Sequence, residues 1–258
     1  MPALHACALR SGRFARWMAA ALAAVALGAS AAEISVTAPK AVKESITEIA
    51  ARFEGETGHR VVFSWGGSES IARRVSGGEA FDIVVNTAQN IQRFSGEGRV
   101  AKATRTDFAR SPVGVAVRSG LPKPDVSTVD ALRAALLGAN SIAISSGASG
   151  RYLEQLFQRM GIADQLRSRI RQPPSGAQIG ELIARGEADL GFQQASELIH
   201  APGVDYLGPL PAEIQNHTVW SAALHSSATQ PEAARAFLRA LVAPAAAAPL
   251  RRMGMEPP

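Results

Sequence analysis

Residues 61–94, with the sequence VVFSWGGSESIARRVSGGEAFDIVVNTAQNIQRF, contain two strands, each followed by a loop and a helical segment. Residues 61–63 and 81–85 form short, mostly β-branched runs that are apolar except for Asp82, as is typical of buried strands. Residues 68–75 lie between them and carry apolar side chains at helical spacing. Because a helix between two fully buried strands is typical of a βαβ unit, this stretch predicts a mainly parallel α/β fold.

The same alternation continues on both sides of this stretch. Further strands are predicted at residues 34–37, 113–117, 142–144, 190–192 and 215–223. Further helices are predicted at residues 42–53, 129–137, 149–160, 179–183, 232–242 and 245–253. The α/β pattern therefore covers nearly all of the chain after residue 33.

Residues 1–32 have the three parts of a cleavable secretory signal peptide. Arg10, Arg13 and Arg16 supply positive charge without any acid, residues 18–28 are almost wholly apolar, and small residues precede a cleavage site near Ala32. The apolar run has about 11 residues, whereas a helix needs ~20 to cross a bilayer. The sequence therefore predicts export to the periplasm rather than anchoring in the membrane.

Loss of the signal peptide changes the composition of the chain. The whole sequence has 27 basic and 22 acidic residues and a net charge of +5, which falls to +2 because three arginines and no acids are removed. No cluster of basic and aromatic residues remains, so nucleic-acid binding has no support. Cys7, the only cysteine, is removed as well. A hydrophobic core, not disulfides, must stabilise the mature protein.

Three predicted strands end in small or polar residues that start a helix, at residues 65–68, 86–87 and 145–150. The N-terminus of a helix offers unpaired N–H groups and a partial positive charge, so it can bind an anion without a cationic side chain. The carboxyl ends of parallel strands meet at one edge of a sheet. We therefore expect an anion-binding crevice there. The alternative is that these residues only cap their own helices.

Patterns for catalysis and metal binding are weak. The loops at Ser68 and Ser149 lack the G-x-S-x-G sequence of a nucleophile elbow. The four histidines after residue 32 lack the spacing of metal ligands. An exported α/β hydrolase stays an alternative, and it requires a base such as His217 close to one of these serines. We expect no metal and no cofactor.

Several passages, taken in order, resemble the periplasmic molybdate-binding proteins of ABC importers and their near relatives. They begin with the strand end TAPK at residues 37–40 and include the segment GFQQASEL at residues 191–198. The other passages are residues 46–94, 109–162, 181–190 and 203–224. The resemblance extends from about residue 33 to residue 258, and it depends on the order and spacing of the passages.

The resemblance implies a type II periplasmic-binding fold with two lobes, each a mainly parallel sheet flanked by helices. Two crossover strands would join one lobe of residues 33–111 and 217–258 to a second lobe of residues 112–216, and the lobes would close on a ligand by hinge motion. The implied protein is not an enzyme. It acts as a monomer and delivers a small oxyanion, such as molybdate or tungstate, to an inner-membrane ABC permease.

The resemblance also implies eight ligand-binding positions. They are Pro39, Lys40, Ser68 and Thr87 in the first lobe, and Ser149, Gly176, Ala177 and Gln194 in the second. Two of them depart from the family, whose molybdate binders commonly have serine in place of Lys40 and often tyrosine in place of Gln194. A neutral, donor-lined pocket suits a compact dianion. An inward-facing Lys40 would favour a small organic carboxylate or another anion, whereas a solvated Lys40 would have no role.

Overall fold

The computed structural model describes residues 31–258, and residues Ala32–Pro258 form one compact unit. The predicted signal peptide thus lies almost entirely outside the described residues. The strands are β1 Glu33–Pro39, β2 Arg60–Gly66, β3 Ile83–Thr87, β4 Thr106–Arg118, β5 Ile142–Ile144, β6 Ile170–Arg171, β7 Leu190–Gln194, β8 Val204–Pro209 and β9 His217–Leu224.

The helices alternate with these strands, as the sequence predicts. They are α1 Lys43–Thr57, α2 Ser68–Ser76, α3 Ala88–Gly96, α4 Val129–Gly138, α5 Ala148–Arg159, α6 Ala163–Leu166, α7 Ile179–Ala184, α8 Ala195–Leu198, α9 Pro231–Leu241 and α10 Ala247–Arg252. Short 3₁₀ turns include Lys40–Val42, directly after β1, and Pro244–Ala246, directly before α10. The predicted helix at 245–253 is therefore divided into a turn and a shorter helix.

Nine strands of the described chain form one mixed sheet in the order β2-β1-β3-β9-β4-β7-β5-β6, with β8 beside β4. β1 pairs in parallel with β2 and β3, and β5 pairs in parallel with β6 and β7. β4 and β9 are antiparallel to their neighbours. Each half of the sheet is therefore mainly parallel, and antiparallel strands join the halves.

The long strand β4 changes partners along its length. Residues 106–112 pair with β9, whereas residues 113–118 pair with β7 and β8. The predicted lobe boundary between residues 111 and 112 lies one residue before this change, and the predicted return at residue 217 lies at the start of β9. The two-lobed α/β fold predicted from the sequence is confirmed, while the residue limits of the lobes stay a prediction.

Each lobe has a hydrophobic core on both faces of its sheet. Alternate side chains of a strand point to opposite faces, so Ile83 and Val85 of β3 join one cluster and Val84 joins another. In the second lobe, Ile142 and Ile144 of β5 likewise separate from Ala143. Burial on both faces explains why residues 83–85 and 142–144 are continuously apolar in the sequence.

Within residues 31–258, no single helix is long and apolar enough to span a membrane. The bent pair Pro231–Leu241 and Pro244–Arg252 meets that test by length and composition only.

Candidate anion site between the lobes

The loops that follow β1, β2 and β5 surround a small cavity between the two lobes, together with residues 174–177 and the start of α8. Its volume is about 40 Å³, which is room for a few water molecules or one compact polar group. Seven of the eight predicted site residues line it: Pro39, Lys40, Ser68, Ser149, Gly176, Ala177 and Gln194. The topology therefore brings together residues up to 155 positions apart.

Thr87 is the exception among the predicted residues. Its hydroxyl accepts a hydrogen bond from the Asn90 amide at 3.2 Å and so caps α3. It borders a separate depression beside Arg151 and does not line the cavity. The capping alternative considered for these loops therefore accounts for Thr87.

The first helix N-terminus at the cavity is that of α2. Gly67 is its N-cap residue, and the Gly67 amide donates to the Ser70 hydroxyl at 3.1 Å. Ser68, the first residue of the helix, is only 8% exposed and lines the cavity. The dipole of α2 therefore places partial positive charge at this wall.

The second helix N-terminus, that of α5, comes from the other lobe. Ser149 is 1% exposed, and its hydroxyl lies 2.9 Å from that of Ser145. The backbone of Gly150 packs so closely on the same loop that a Cβ there would lie 1.5 Å from the Ser145 carbonyl oxygen. Only glycine fits at that position, and the close packing holds the start of α5 against the cavity.

Direct contacts close the cleft between the lobes. The Ser70 amide donates to the Ser175 hydroxyl at 3.3 Å, and Lys40 Nζ donates to the Gly176 carbonyl oxygen at 3.0 Å. A Cβ on Gly67 would lie 2.3 Å from Ser175 Oγ and 2.4 Å from the Gly176 nitrogen. The described conformation is therefore one with the lobes closed on each other.

An ion pair adds to this closed arrangement. Arg151 Nη1, on α5, donates to Glu69 Oε1, on α2. Both side chains are partly exposed, with 43% and 31% of their surface accessible. An exposed pair of this kind contributes about 1 kcal/mol or less, so it orients the two helix N-termini more than it holds the lobes together.

Three buried polar atoms of the cavity wall have no hydrogen-bond partner among residues 31–258: Ser146 Oγ, Gln194 Oε1 and Trp220 Nε1. The Gln194 amide nitrogen donates to the Thr218 hydroxyl at 2.8 Å. Because the oxygen and nitrogen of an amide are assigned from such bonds, a turned Gln194 would donate into the cavity instead. Buried polar groups are rarely left unpaired, so these atoms mark a place for a polar ligand.

Two charged side chains also line the cavity. Lys40 is exposed to solvent at its rim yet forms part of the wall, so it lies at the border between the two predicted alternatives. Glu197, on the short helix α8, lines the same cavity. Burial raises the pKa of the Glu197 carboxyl to about 8, while a hydrogen bond from Gln178 and the Lys40 ammonium oppose this rise. At neutral pH the carboxyl is therefore mostly uncharged.

Sequence reasoning missed Glu197 and Ser175. Helix α8 follows β7 without a loop, so Glu197 lies within one helical turn of Gln194 at the end of that strand. Ser175 lies in a loop, outside any helix or strand. Its place in the cavity wall follows only from its contact with α2 of the other lobe. A polar residue within one turn of a strand end was the only available signal for Glu197.

The arrangement required for a hydrolase is not formed. None of the residues that line the cavity is a histidine or a cysteine. His217 begins β9 and borders a different groove, near Tyr206 and Pro209. Across residues 31–258, no group of three or more His, Cys, Asp or Glu side chains is arranged to hold a metal ion.

Comparisons with known proteins agree with this architecture. The chain matches the family model described as bacterial extracellular solute-binding protein over residues 34–256. It is 36% identical over 230 residues to an aconitate isomerase of a Pseudomonas species, with 87% of each chain covered. It is 26% identical over 230 residues to the molybdate-binding protein ModA of Escherichia coli K12, covering 86% of this chain and 88% of that one.

Solved structures show the same fold. The periplasmic molybdate-binding protein of Azotobacter vinelandii superposes with a TM-score of 0.75 at 24% identity, over 87% of this chain and 99% of that one. The resemblance to periplasmic molybdate-binding proteins predicted from the sequence is confirmed. This chain belongs to the bacterial extracellular solute-binding protein family.

Proposed function

We propose that this protein is a periplasmic binding protein that captures a small organic carboxylate between its lobes and presents it to an ABC permease. The observation that carries the proposal is the pair Lys40 and Glu197 in the wall of a cavity bordered by two helix N-termini. An oxyanion such as molybdate is the competing ligand, favoured by the 26% identity to the Escherichia coli molybdate-binding protein.

The polar groups of the cavity suit a carboxylate. The starts of α2 and α5, with Ser68 and Ser149, provide donors and partial positive charge from opposite sides. Trp220 Nε1 is a further donor, and it has no partner within the described part of the chain. Lys40 Nζ, which donates to the Gly176 carbonyl oxygen in the closed cavity, can donate to a ligand carboxylate in its place.

The space around Lys40 and Glu197 favours a ligand larger than a tetrahedral oxyanion. These two residues line the cavity of about 40 Å³ and also an outer groove of about 880 Å³. One carboxylate group can occupy the cavity while the rest of the molecule extends past them toward the groove. A molybdate ion would not need this continuation.

Calorimetric titration of residues 33–258 tests the proposal. The ligands are cis-aconitate, trans-aconitate, citrate, molybdate, tungstate and sulfate. We expect micromolar binding of at least one carboxylate, which Lys40→Ala weakens at least tenfold because an anion loses a charge-assisted hydrogen bond. Lys102→Ala is the matched control, since Lys102 is exposed and lines neither the cavity nor the outer groove.

Two results would contradict the carboxylate proposal. Binding of molybdate or tungstate without binding of any carboxylate would identify an oxyanion protein. Heat-neutral titrations with every anion, repeated at a second temperature, would exclude both ligand classes.

Isomerisation of an unsaturated carboxylate is the second candidate function. It is favoured by the 36% identity to the Pseudomonas aconitate isomerase over most of both chains and by a titratable carboxyl in the cavity wall. The expectation from the sequence that the protein is not an enzyme therefore stays a prediction.

Export and assembly follow from the same proposal. Cleavage near Ala32 would release a monomer of residues 33–258 into the periplasm, with lobes of residues 33–111 plus 217–258 and of residues 112–216. The ligand-closed lobes would then dock on an inner-membrane permease.

A further inference from the structure

We propose that Glu197 is a catalytic acid–base residue that moves a proton between two carbon atoms of a bound unsaturated carboxylate. This inference rests on the proposed binding of a carboxylate in the cavity. It assigns a chemical role to a residue that the sequence pattern did not single out.

The position of Glu197 is suited to proton transfer. It lies in the first turn of α8, three residues after Gln194 at the end of β7. Its side chain lines the cavity on one side and the outer groove on the other. A proton taken from a ligand in the cavity can therefore be exchanged with the water of the groove.

The groups around Glu197 prepare it for this role. A hydrogen bond from the Gln178 side chain and the positive charge of Lys40 both favour the ionised form of its carboxyl. Other titratable groups face the groove from the surrounding elements: Lys43, Glu44, Glu48, Glu181, His200 and Arg252. Burial, the main influence, raises the pKa of Glu197 to about 8, which makes its ionised form a stronger base than an exposed carboxylate.

The remaining cavity groups stabilise the charge that proton removal creates. Lys40 and the N-termini of α2 and α5 surround the position of a ligand carboxylate. When a carbon next to the double bond loses its proton, negative charge spreads over the three-carbon unit and into the attached carboxylates. Fixed donors directed at such charge lower the barrier because they need no rearrangement.

The reaction balances without a cofactor. The Glu197 carboxylate removes a proton from the CH₂ group next to the double bond, so that one C–H bond breaks and its electron pair becomes delocalised. The Glu197 carboxylic acid then returns a proton to the far carbon of the unit, and a new C–H bond forms. The double bond moves by one carbon, and its cis or trans geometry is set anew.

The experiment incubates residues 33–258 with cis- or trans-aconitate in D₂O and follows both ligands by proton NMR, with calorimetry on the same samples. We expect conversion between the isomers and deuterium at the CH₂ position. Glu197→Gln should lower the rate at least 100-fold while the affinity stays within about fivefold. Glu232→Gln, which makes the same change at an exposed residue of α9 away from the cavity and the outer groove, should leave the rate unchanged.

The outcomes separate this inference from the proposed function. Binding without isomerisation or deuterium exchange overturns the role of Glu197 and leaves carboxylate binding intact. A Glu197→Gln rate within tenfold of the wild type also overturns it. Absence of binding overturns the proposed function, and this inference fails with it.

A second variant covers loss of folding in Glu197→Gln. Glu197→Asp keeps the carboxyl but withdraws it by one carbon, so kcat should fall at least tenfold with little change in KM. The wild-type kcat should rise with pH through a single ionisation. A rate independent of pH from about 6 to 9 would contradict a carboxyl base with this environment.

Discussion

At the scale of single residues, Glu197 links the site to the stability of the whole protein. Its pKa rises from 4.5 in the unfolded chain to about 8 in the folded state. Between these values the folded protein retains a proton that the unfolded chain has released. The contribution of Glu197 to the free energy of unfolding therefore falls as the pH rises from 4.5 to about 8.

Glu197→Gln removes this pH dependence. We expect the variant to unfold at about the same temperature as the wild type near pH 4.5 and at least about 2 °C higher near pH 8.5, equivalent to ~1 kcal/mol. Thermal unfolding followed by circular dichroism measures the difference. Glu181→Gln, whose side chain is 68% exposed, should show none. A difference for Glu197→Gln that is the same at both pH values would contradict the burial of its carboxyl.

Gly150 makes a second prediction at this scale. An alanine Cβ there would lie 1.5 Å from the Ser145 carbonyl oxygen, so the loop before α5 would have to move. We expect Gly150→Ala to lower the free energy of unfolding by about 2–3 kcal/mol, as overpacking does. Gly147→Ala is the control, because its Cβ would have no atom closer than the Ser145 hydroxyl at 3.7 Å.

Urea unfolding of both variants tests this difference. Equal stability of Gly150→Ala and Gly147→Ala would mean that the loop adapts at no cost. In that case the start of α5 would not be held rigidly against the cavity.

At the scale of elements, Asp82 joins three parts of the first lobe. It directly precedes β3, and its carboxylate accepts hydrogen bonds from Ser35 of β1 and from Thr229 and Gln230 before α9. Burial opposes ionisation, but the bonds from Ser35, Gln230 and Thr229 outweigh it and hold the pKa of Asp82 below its ordinary value of 3.8. A residue 2% exposed thus carries a charge that its hydrogen bonds stabilise.

Asp82→Asn should destabilise the protein by at least about 2 kcal/mol at pH 7, because bonds to a buried charge are lost. The wild type loses this contribution as the pH falls below 3.8 toward the lower pKa of the folded state. The difference between the two proteins should therefore shrink in acid. Chemical unfolding of both proteins at pH 7 and at a pH below 3.8 measures this difference in the free energy of unfolding. Asp164→Asn, with a side chain 89% exposed, should change stability by less than about 0.5 kcal/mol.

The elements also show which parts of the fold the sequence could predict. Strands β1, β3 and β7 are buried over most of their length, and each carries apolar residues that leave a clear pattern. β8 is only partly buried along its length and β6 has two residues, so neither has a pattern that local sequence reveals.

The candidate site was predictable where it depends on the ends of strands. Ser68 and Ser149 lie in the first turns of helices that follow strands, and the topology of a parallel sheet brings such positions together. Ser175 reaches the site through the packing of one lobe on the other. Glu197 reaches it because α8 follows β7 without a loop. Whether Lys40 faces the cavity also depends on the second lobe, because Lys40 Nζ donates a hydrogen bond to the Gly176 carbonyl oxygen.

At the scale of the whole molecule, the closed cleft depends on the absence of a side chain at Gly67. A Cβ there would lie 2.3 Å from Ser175 Oγ and 2.4 Å from the backbone nitrogen of Gly176, both in the other lobe. The serine could rotate away, but the backbone could not. Gly67→Ala should therefore keep the lobes apart without disturbing either core.

Small-angle scattering and calorimetry test this in the presence of whichever anion the wild type binds. We expect the wild type to become more compact with ligand, because the lobes close on it. Gly67→Ala should stay expanded and bind at least tenfold more weakly, since donors from only one lobe can reach the ligand at a time. Its unfolding temperature without ligand should not fall below that of the wild type by more than about 2 °C. Gly55→Ala, which adds a methyl group to α1 with no atom within 4 Å of it, should close normally. Compaction of Gly67→Ala equal to that of the wild type would mean that ligand binding does not need the contact between residues 67 and 175–176, and that the cleft can hold its ligand while partly open.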